Sequence, residues 1–272
     1  MRTLHSRAVL LAAILLWAAG CGGGGTSTTA DQVVYSGHVH GLAINPADDR
    51  LYIGAHAGLF VIKDSKLQRV GAGLPDLMGL TVLGPDTFLA SGHPGLLDLP
   101  NPLGLVRSDD SGRSWTPVSL QGQADLHTID AQGSFVLAHD ATSSKLLRST
   151  DSGVTFDDLG QAKILDVALN DAGDALITDV DGKLFRLAAT SSELVRAASS
   201  PPLAQIAWAG DFWAGVDARG RTWRSADGSA WQRRGAIPEP PNALAASGER
   251  WYVATERGFF VSDDQGHAWE RL

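Results

Sequence analysis

Ser108-Asp109-Asp110-Ser111-Gly112-Arg113-Ser114-Trp115 decides how the rest of the chain is read, because its pattern returns three more times. The copies are Ser149-Thr150-Asp151-Ser152-Gly153-Val154-Thr155-Phe156, Ser225-Ala226-Asp227-Gly228-Ser229-Ala230-Trp231 and Ser262-Asp263-Asp264-Gln265-Gly266-His267-Ala268-Trp269. The third copy is one residue shorter than the others. Each residue type has a mechanical reason to be there. The carboxylates of Asp110, Asp151, Asp227 and Asp264 can accept hydrogen bonds from amides of their own turn. Gly112, Gly153, Gly228 and Gly266 can take the positive φ that a tight turn demands. Trp115, Phe156, Trp231 and Trp269 then pack beneath the turn and pin a hairpin.

The motif starts are separated by 41, 76 and 37 residues, so the middle interval holds two periods. Asp179-Val180-Asp181-Gly182-Lys183-Leu184-Phe185 fills that gap as a degenerate copy. Short β-rich runs such as Leu51–Ala55, Gly58–Ile62 and Trp251–Thr255 lie between turn residues. Six units follow, beginning near His38, Asp76, Asp125, Lys163, Leu203 and Pro240, each with room for four antiparallel strands. The expected fold is all-β, a propeller of six four-stranded blades. Seven blades result if Gln32–Tyr35 and the loop-rich stretch Pro94–Pro102 hide a further element. Three of the four copies match S-x-D-x-G-x-x-[WF], and the set resembles the Asp-box (BNR) repeat, which implies this fold and says little about activity.

The first twenty residues read as a processing signal. Arg2 and Arg7 precede an apolar run of twelve residues, Ala8 to Ala19, too short to span a bilayer but suited to a signal-peptide core. Ala18-Ala19-Gly20-Cys21 resembles the bacterial lipobox, which implies cleavage before Cys21 and lipidation of its thiol. Cys21 is the sole cysteine, so no internal disulfide forms. Residues 21–32, beginning Cys21-Gly22-Gly23-Gly24-Gly25, read as a flexible tether, and residues 33–272 as the propeller. The expectation is an exported monomer anchored on the extracytoplasmic side of a membrane. Without Arg2 and Arg7 the 22 basic residues fall to 20 against 30 acidic ones, a net charge of −10 that argues against a nucleic-acid partner.

Aligning the units exposes a second pattern. Their second strands are apolar and stop at His56, His93, His139, Asp179, Asp217 and Glu256. Their first strands open with His38-Val39-His40, Asp76-Leu77-Met78 and Asp125-Leu126-His127. In an up-and-down blade both slots share one face near the central channel. Six of the eight histidines fall there, together with the only methionine besides Met1. Imidazole with thioether suits copper, and imidazole with carboxylate suits zinc. The candidate metal ligands are therefore His40, His56, Met78, His93, His127 and His139. His38, Asp76, Asp125, Asp179, Asp217 and Glu256 are orienting groups or alternative ligands. The bland alternative is a polar lining of a water-filled channel.

His38–Pro46, Leu51–Phe60, Leu89–Pro94 and Leu120–His127 resemble a bacterial Asp-box group often labelled glycosyl hydrolase or exo-α-sialidase-like, similar to sortilin and photosystem-assembly propellers. Sialidase chemistry needs an arginine triad, a tyrosine nucleophile with a glutamate partner, and an acid/base aspartate. The chain has only Tyr35, Tyr52 and Tyr252, and the last two sit in apolar strand patterns. Arg107, Arg148 and Arg224 directly precede the repeats, far from the channel slots. A phosphate loop, a nucleophile elbow and a cysteine metal motif are all missing from the sequence. The sequence thus favours a non-catalytic metal-binding protein. The alternatives are a protein-binding scaffold of the cell envelope and a glycoside hydrolase using Asp179, Asp217 or Glu256.

Overall fold

The computed structural model describes residues 38–73 and 75–272, and the signal, Cys21 and tether expectations lie outside them. Six four-stranded antiparallel sheets follow one another along the chain, each strand paired with its sequence neighbours. Blade 1 holds β1 (Val39–Asn45), β2 (Arg50–Ala55), β3 (Gly58–Lys63) and β4 (Lys66–Val70). Blade 2 holds β5 (Asp76–Gly84), β6 (Thr87–His93), β7 (Leu105–Ser108) and β8 (Thr116–Ser119). Blade 3 holds β9 (Leu126–Gln132), β10 (Phe135–Asp140), β11 (Lys145–Ser149) and β12 (Asp157–Gln161). Blade 4 holds β13 (Ile164–Leu169), β14 (Ala175–Asp179), β15 (Leu184–Leu187) and β16 (Val195–Arg196). Blade 5 holds β17 (Leu203–Trp208), β18 (Trp213–Asp217), β19 (Arg221–Ser225) and β20 (Gln232–Ala236). Blade 6 holds β21 (Ala243–Ser247), β22 (Arg250–Thr255), β23 (Gly258–Ser262) and β24 (Glu270–Arg271). The first strands of successive blades pack in a ring, and β1 closes it against β21.

The core explains why the second strands read as continuous apolar runs. Every blade is covered on both faces by its neighbours, so alternation in and out of a core is lost. Six apolar clusters result, one at each blade junction. Ile53 and Phe60 of blade 1 meet Tyr252 and Phe259 of blade 6 across the closing junction. Leu59 and Tyr52 of blade 1 meet Leu80 and Phe88 of blade 2 on the other side.

The repeat turns join the third and fourth strands, on the face opposite the second-strand ends. Ser108 Oγ accepts from Gly112 N at 2.7 Å, and Asp110 Oδ1 accepts from Ser114 N at 2.9 Å. Burial alone would raise Asp110, but hydrogen bonds from the Ser114 hydroxyl and amide outweigh it and hold the carboxyl at about 2. Gly112 sits at φ 83°, and a Cβ there would meet Leu59 of the preceding blade at 2.0 Å. Each turn is thus both a hairpin clasp and a contact between blades. Asp179–Phe185 is not a degenerate copy. It spans the turn between β14 and β15, at the other face, and blade 4 closes instead through residues 188–194. Its turn chemistry is similar, since Asp179 Oδ1 accepts from the amides of Asp181 and Lys183 at 2.9 and 2.8 Å.

Two carboxyls in the channel wall lock first strands together. Asp130 accepts from Thr81 Oγ1 of β5, its neighbour Ala131 N, and Leu169 N of β13, at 2.8, 2.9 and 2.7 Å. Asp166 accepts from Val167 N and from Ile206 N of β17, at 3.0 and 2.8 Å. Both line the channel and are half-buried among the first strands. Burial pushes Asp130 up to about 6 and Asp166 up to about 8 against the backbone donors, and the Asp130 charge adds to the rise at Asp166. A carboxyl whose folded value is raised stabilises the fold below its unfolded value, and that contribution is lost as pH rises. The window here runs from about 4 to about 8. Asp166→Asn should therefore flatten the decline of stability across that window by up to about 1.4 kcal/mol per pH unit relative to wild type. Urea unfolding at pH 5, 6, 7 and 8 measures the difference, and parallel wild-type and variant profiles would refute it.

Candidate metal centre at the channel mouth

Near its start, the first strand of each of blades 1 to 5 carries one residue with no partner in the ladder (β5 skips a second, Leu83, near its end). In blades 1 to 3 these are His40, Met78 and His127. In blades 4 and 5 they are Leu165 and Ala204. Such a bulge bends the strand and re-aims the side chain it inserts. It occurs at the end of each strand that meets the return of the second strand, so Val39 lies opposite Ala55 and Asp76 opposite His93. The channel, about 350 Å³, is lined by His40 and His127 at this end and by Pro46, Gln132 and Ser247 at the other. Donor side chains at the bulges are confined to blades 1 to 3.

His38, His40 and His56 form one compact group. One ring nitrogen from each lies within 4.8 Å of the other two. The His56 ring stands edge-on to both others at 4.6 Å between centroids, while His38 and His40 stack at 6.1 Å. His40 Nε2 is sealed from solvent and has no hydrogen-bond partner. Burial, followed by the neighbouring His56, pushes His40 down to about 4, so its imidazole is neutral at pH 7 with a lone pair free. His56 Nδ1 lies 2.7 Å from Asp76 Oδ1. A carboxylate on one ring nitrogen directs the other, Nε2, toward a ligand. Around a tetrahedral ion with bonds of about 2.1 Å the nitrogens would stand about 3.4 Å apart.

Blades 2 and 3 supply a second assembly around Asp125. His127 Nε2 lies 2.8 Å, and His93 Nε2 3.7 Å, from the same oxygen, Asp125 Oδ2. Asp125 Oδ1 is buried without a partner. The hydrogen bond to Asp125 raises His127 above its ordinary value, outweighing burial. His93 Nδ1 lies 2.8 Å from Asn101 Oδ1, a contact with no signal in the sequence because Asn101 sits in an irregular loop. His139 turns away and its Nε2 meets the carbonyl of Ala162 at 2.9 Å, while burial lowers it.

The expected ring of donors is thus an arc over three blades. His38, expected as an orienting group, belongs to the compact trio, and Asp76 orients His56. The three acids of blades 4 to 6 are not gathered with the histidines. Asp179 caps its turn with Lys183 Nζ at 3.8 Å. Asp217 is 1% exposed and holds the Arg219 and Arg221 amides and the Arg221 guanidinium, the last at 2.5 Å. Glu256 stands exposed after β22. Tyr52 and Tyr252 are buried in second strands, and Arg107, Arg148 and Arg224 lie on third strands, away from the channel.

No protein-family model matches the chain, and no curated protein matches it. Solved structures do. YCF48 bound to D1 peptide is 15% identical with a TM-score of 0.54, covering 86% of this chain and 82% of that one. YCF48 from Cyanidioschyzon merolae is 13% identical with a TM-score of 0.54, covering 87% and 85%. Virginiamycin B lyase from Staphylococcus aureus is 14% identical with a TM-score of 0.58, covering 88% and 84%. At such identities the likeness establishes the propeller fold alone, and a lyase beside an unrelated propeller illustrates how little the fold says about chemistry. Function has to be argued from the mouth.

Proposed function

We propose that this propeller is a non-catalytic metal-binding protein that holds copper, in preference to zinc, through His38, His40 and His56. The observation that carries the reading is a sealed, partnerless Nε2 on His40, in a ring that has one nitrogen within 4.8 Å of a nitrogen on each of two further imidazoles. A buried polar atom without a partner costs about 1–3 kcal/mol unless something fills its valence. Neutral imidazoles suit both ions, and nitrogen sites generally rank copper(II) above zinc(II). The lipobox-like Ala18–Cys21 supports an anchored, extracytoplasmic setting for such a protein. Metal-free protein titrated calorimetrically with copper(II) and zinc(II) in separate runs should bind copper at least tenfold more tightly. The reading fails if neither ion binds more tightly than it does to a His38→Ala/His56→Ala double variant.

A second reading is supported by the YCF48 likeness, since that protein was solved with a peptide bound. Here the broad faces of the disc would hold an envelope protein and the histidines would be lining. One dominant stoichiometric partner recovered from membranes by both wild type and the double variant would favour it.

A further inference from the structure

We infer that a second metal ion binds beside the first, between His93, Asp125 and His127. This rests on the metal-binding reading above and extends it to a two-ion mouth. The argument begins with proton positions. Asn101 Oδ1 can only accept, so His93 Nδ1, 2.8 Å away, carries the hydrogen. In the neutral ring Nε2 then bears a lone pair, and it faces Asp125 Oδ2 across 3.7 Å. That gap is too long for a hydrogen bond. It is, however, the separation of two ligands on one ion: bonds of about 2.05 Å spanning it subtend an angle of about 130°. His127 Nε2, at 2.8 Å from the same oxygen, donates its hydrogen there, so it joins the set by giving up that proton to solvent and by both rings turning inward, since the three donor atoms do not yet all lie within 4.8 Å of one another. The other carboxylate oxygen, Oδ1, is buried with no donor, so an adjacent cation would neutralise a carboxylate that the protein leaves half unpaired.

The repeat explains why there are two such places. A histidine ending the second strand of one blade meets an aspartate at the edge of the next: His56 with Asp76, then His93 with Asp125. The third instance is broken, because Lys163 occupies the aspartate's position before the bulge and His139 bonds a carbonyl instead. The two places are neighbours, since Asp76 touches His56 and is the ladder partner of His93. Met78, bulged between them in ring order, offers a thioether to a soft ion.

The test is stoichiometry. Metal-free full-length protein is loaded with copper(II), or with zinc(II), dialysed and analysed for metal. Wild type should retain two equivalents. His93→Ala and Asp125→Asn should each retain one, and His38→Ala/His56→Ala should retain the other. Asp125→Asn conserves shape, and a melting curve matching wild type shows that it is folded. The copper(II) spectrum by electron paramagnetic resonance should show dipolar broadening in wild type that disappears in Asp125→Asn. One equivalent in wild type, unaltered by either His93→Ala or Asp125→Asn, overturns the second ion and leaves the first standing. No retained metal in any form overturns both.

Discussion

His40→Ala is expected to cost the protein about 2 kcal/mol of its copper-dependent stabilisation. An ion that binds only the folded chain adds about 2.7 kcal/mol when present at a hundred times its dissociation constant. Truncating His40 removes one of three imidazoles, the one with a buried, unengaged Nε2. Losing even an orienting group typically weakens a metal site by about 10–100-fold, and losing a ligand should cost at least the upper figure. At the same copper concentration the increment then falls to about 0.4 kcal/mol. For a domain of this size that corresponds to a melting temperature lower by about 5–9 °C in copper. Metal-free melting should change far less, because the deleted ring carries an unsatisfied atom. Asp76→Asn, which leaves all three imidazoles and disturbs only the partner of His56 Nδ1, should give a smaller loss of the same kind. Scanning calorimetry with copper and with chelator measures each increment separately. Equal copper-induced shifts in wild type and His40→Ala would remove the trio from the site.

The fold was legible because its repeat turns are self-contained. In Ser149–Phe156 the serine hydroxyl accepts from Asp151 N and Gly153 N, and Asp151 accepts from Thr155 N, all within one octapeptide. Even the shortened copy preserves the arrangement, with the amides of Ser229 and Ala230 on Asp227. The same locality misleads at Asp179. Its turn uses the same acceptor chemistry, and nothing within seven residues reveals which end of the blade it closes. The mouth was legible as a face, since strand direction alone puts His56 and His40 together. Which histidines meet was not legible. That depends on the extra residue near the start of the first strands of blades 1 to 3, and on whether the next blade presents Asp76, Asp125 or Lys163. Asp130 and Asp166 escaped notice for a related reason: their partners are backbone amides of adjacent blades, far away in sequence.

Gly92→Ala should be among the most damaging single-methyl substitutions in the molecule, at about 4 kcal/mol. Gly92 sits at φ 139°, a conformation that costs other residues about 1–3 kcal/mol. The steric conflict is worse. A Cβ would lie 2.0 Å from the Asp76 carbonyl oxygen and 2.8 Å from Met78 N. Both are backbone atoms, so no rotamer change relieves the contact, and the edge of β5 must move. Gly92 faces the bulge that projects Met78, and it precedes His93 directly. The displacement therefore reaches Asp76, Met78 and His93 at once, coupling a folding defect to weaker metal binding. The expected fall in melting temperature is roughly 8–16 °C. Gly84, at the far end of the partner strand β5, supplies the control, because a Cβ there meets nothing within 4 Å. Gly84→Ala should melt within a degree or two of wild type, or slightly above it as the unfolded chain loses freedom. Thermal melts of the two variants side by side decide the matter. If Gly92→Ala melts with Gly84→Ala, the close approach of β5 and β6 at the mouth is wrong, and the placement of Asp76 between the two groups of histidines goes with it.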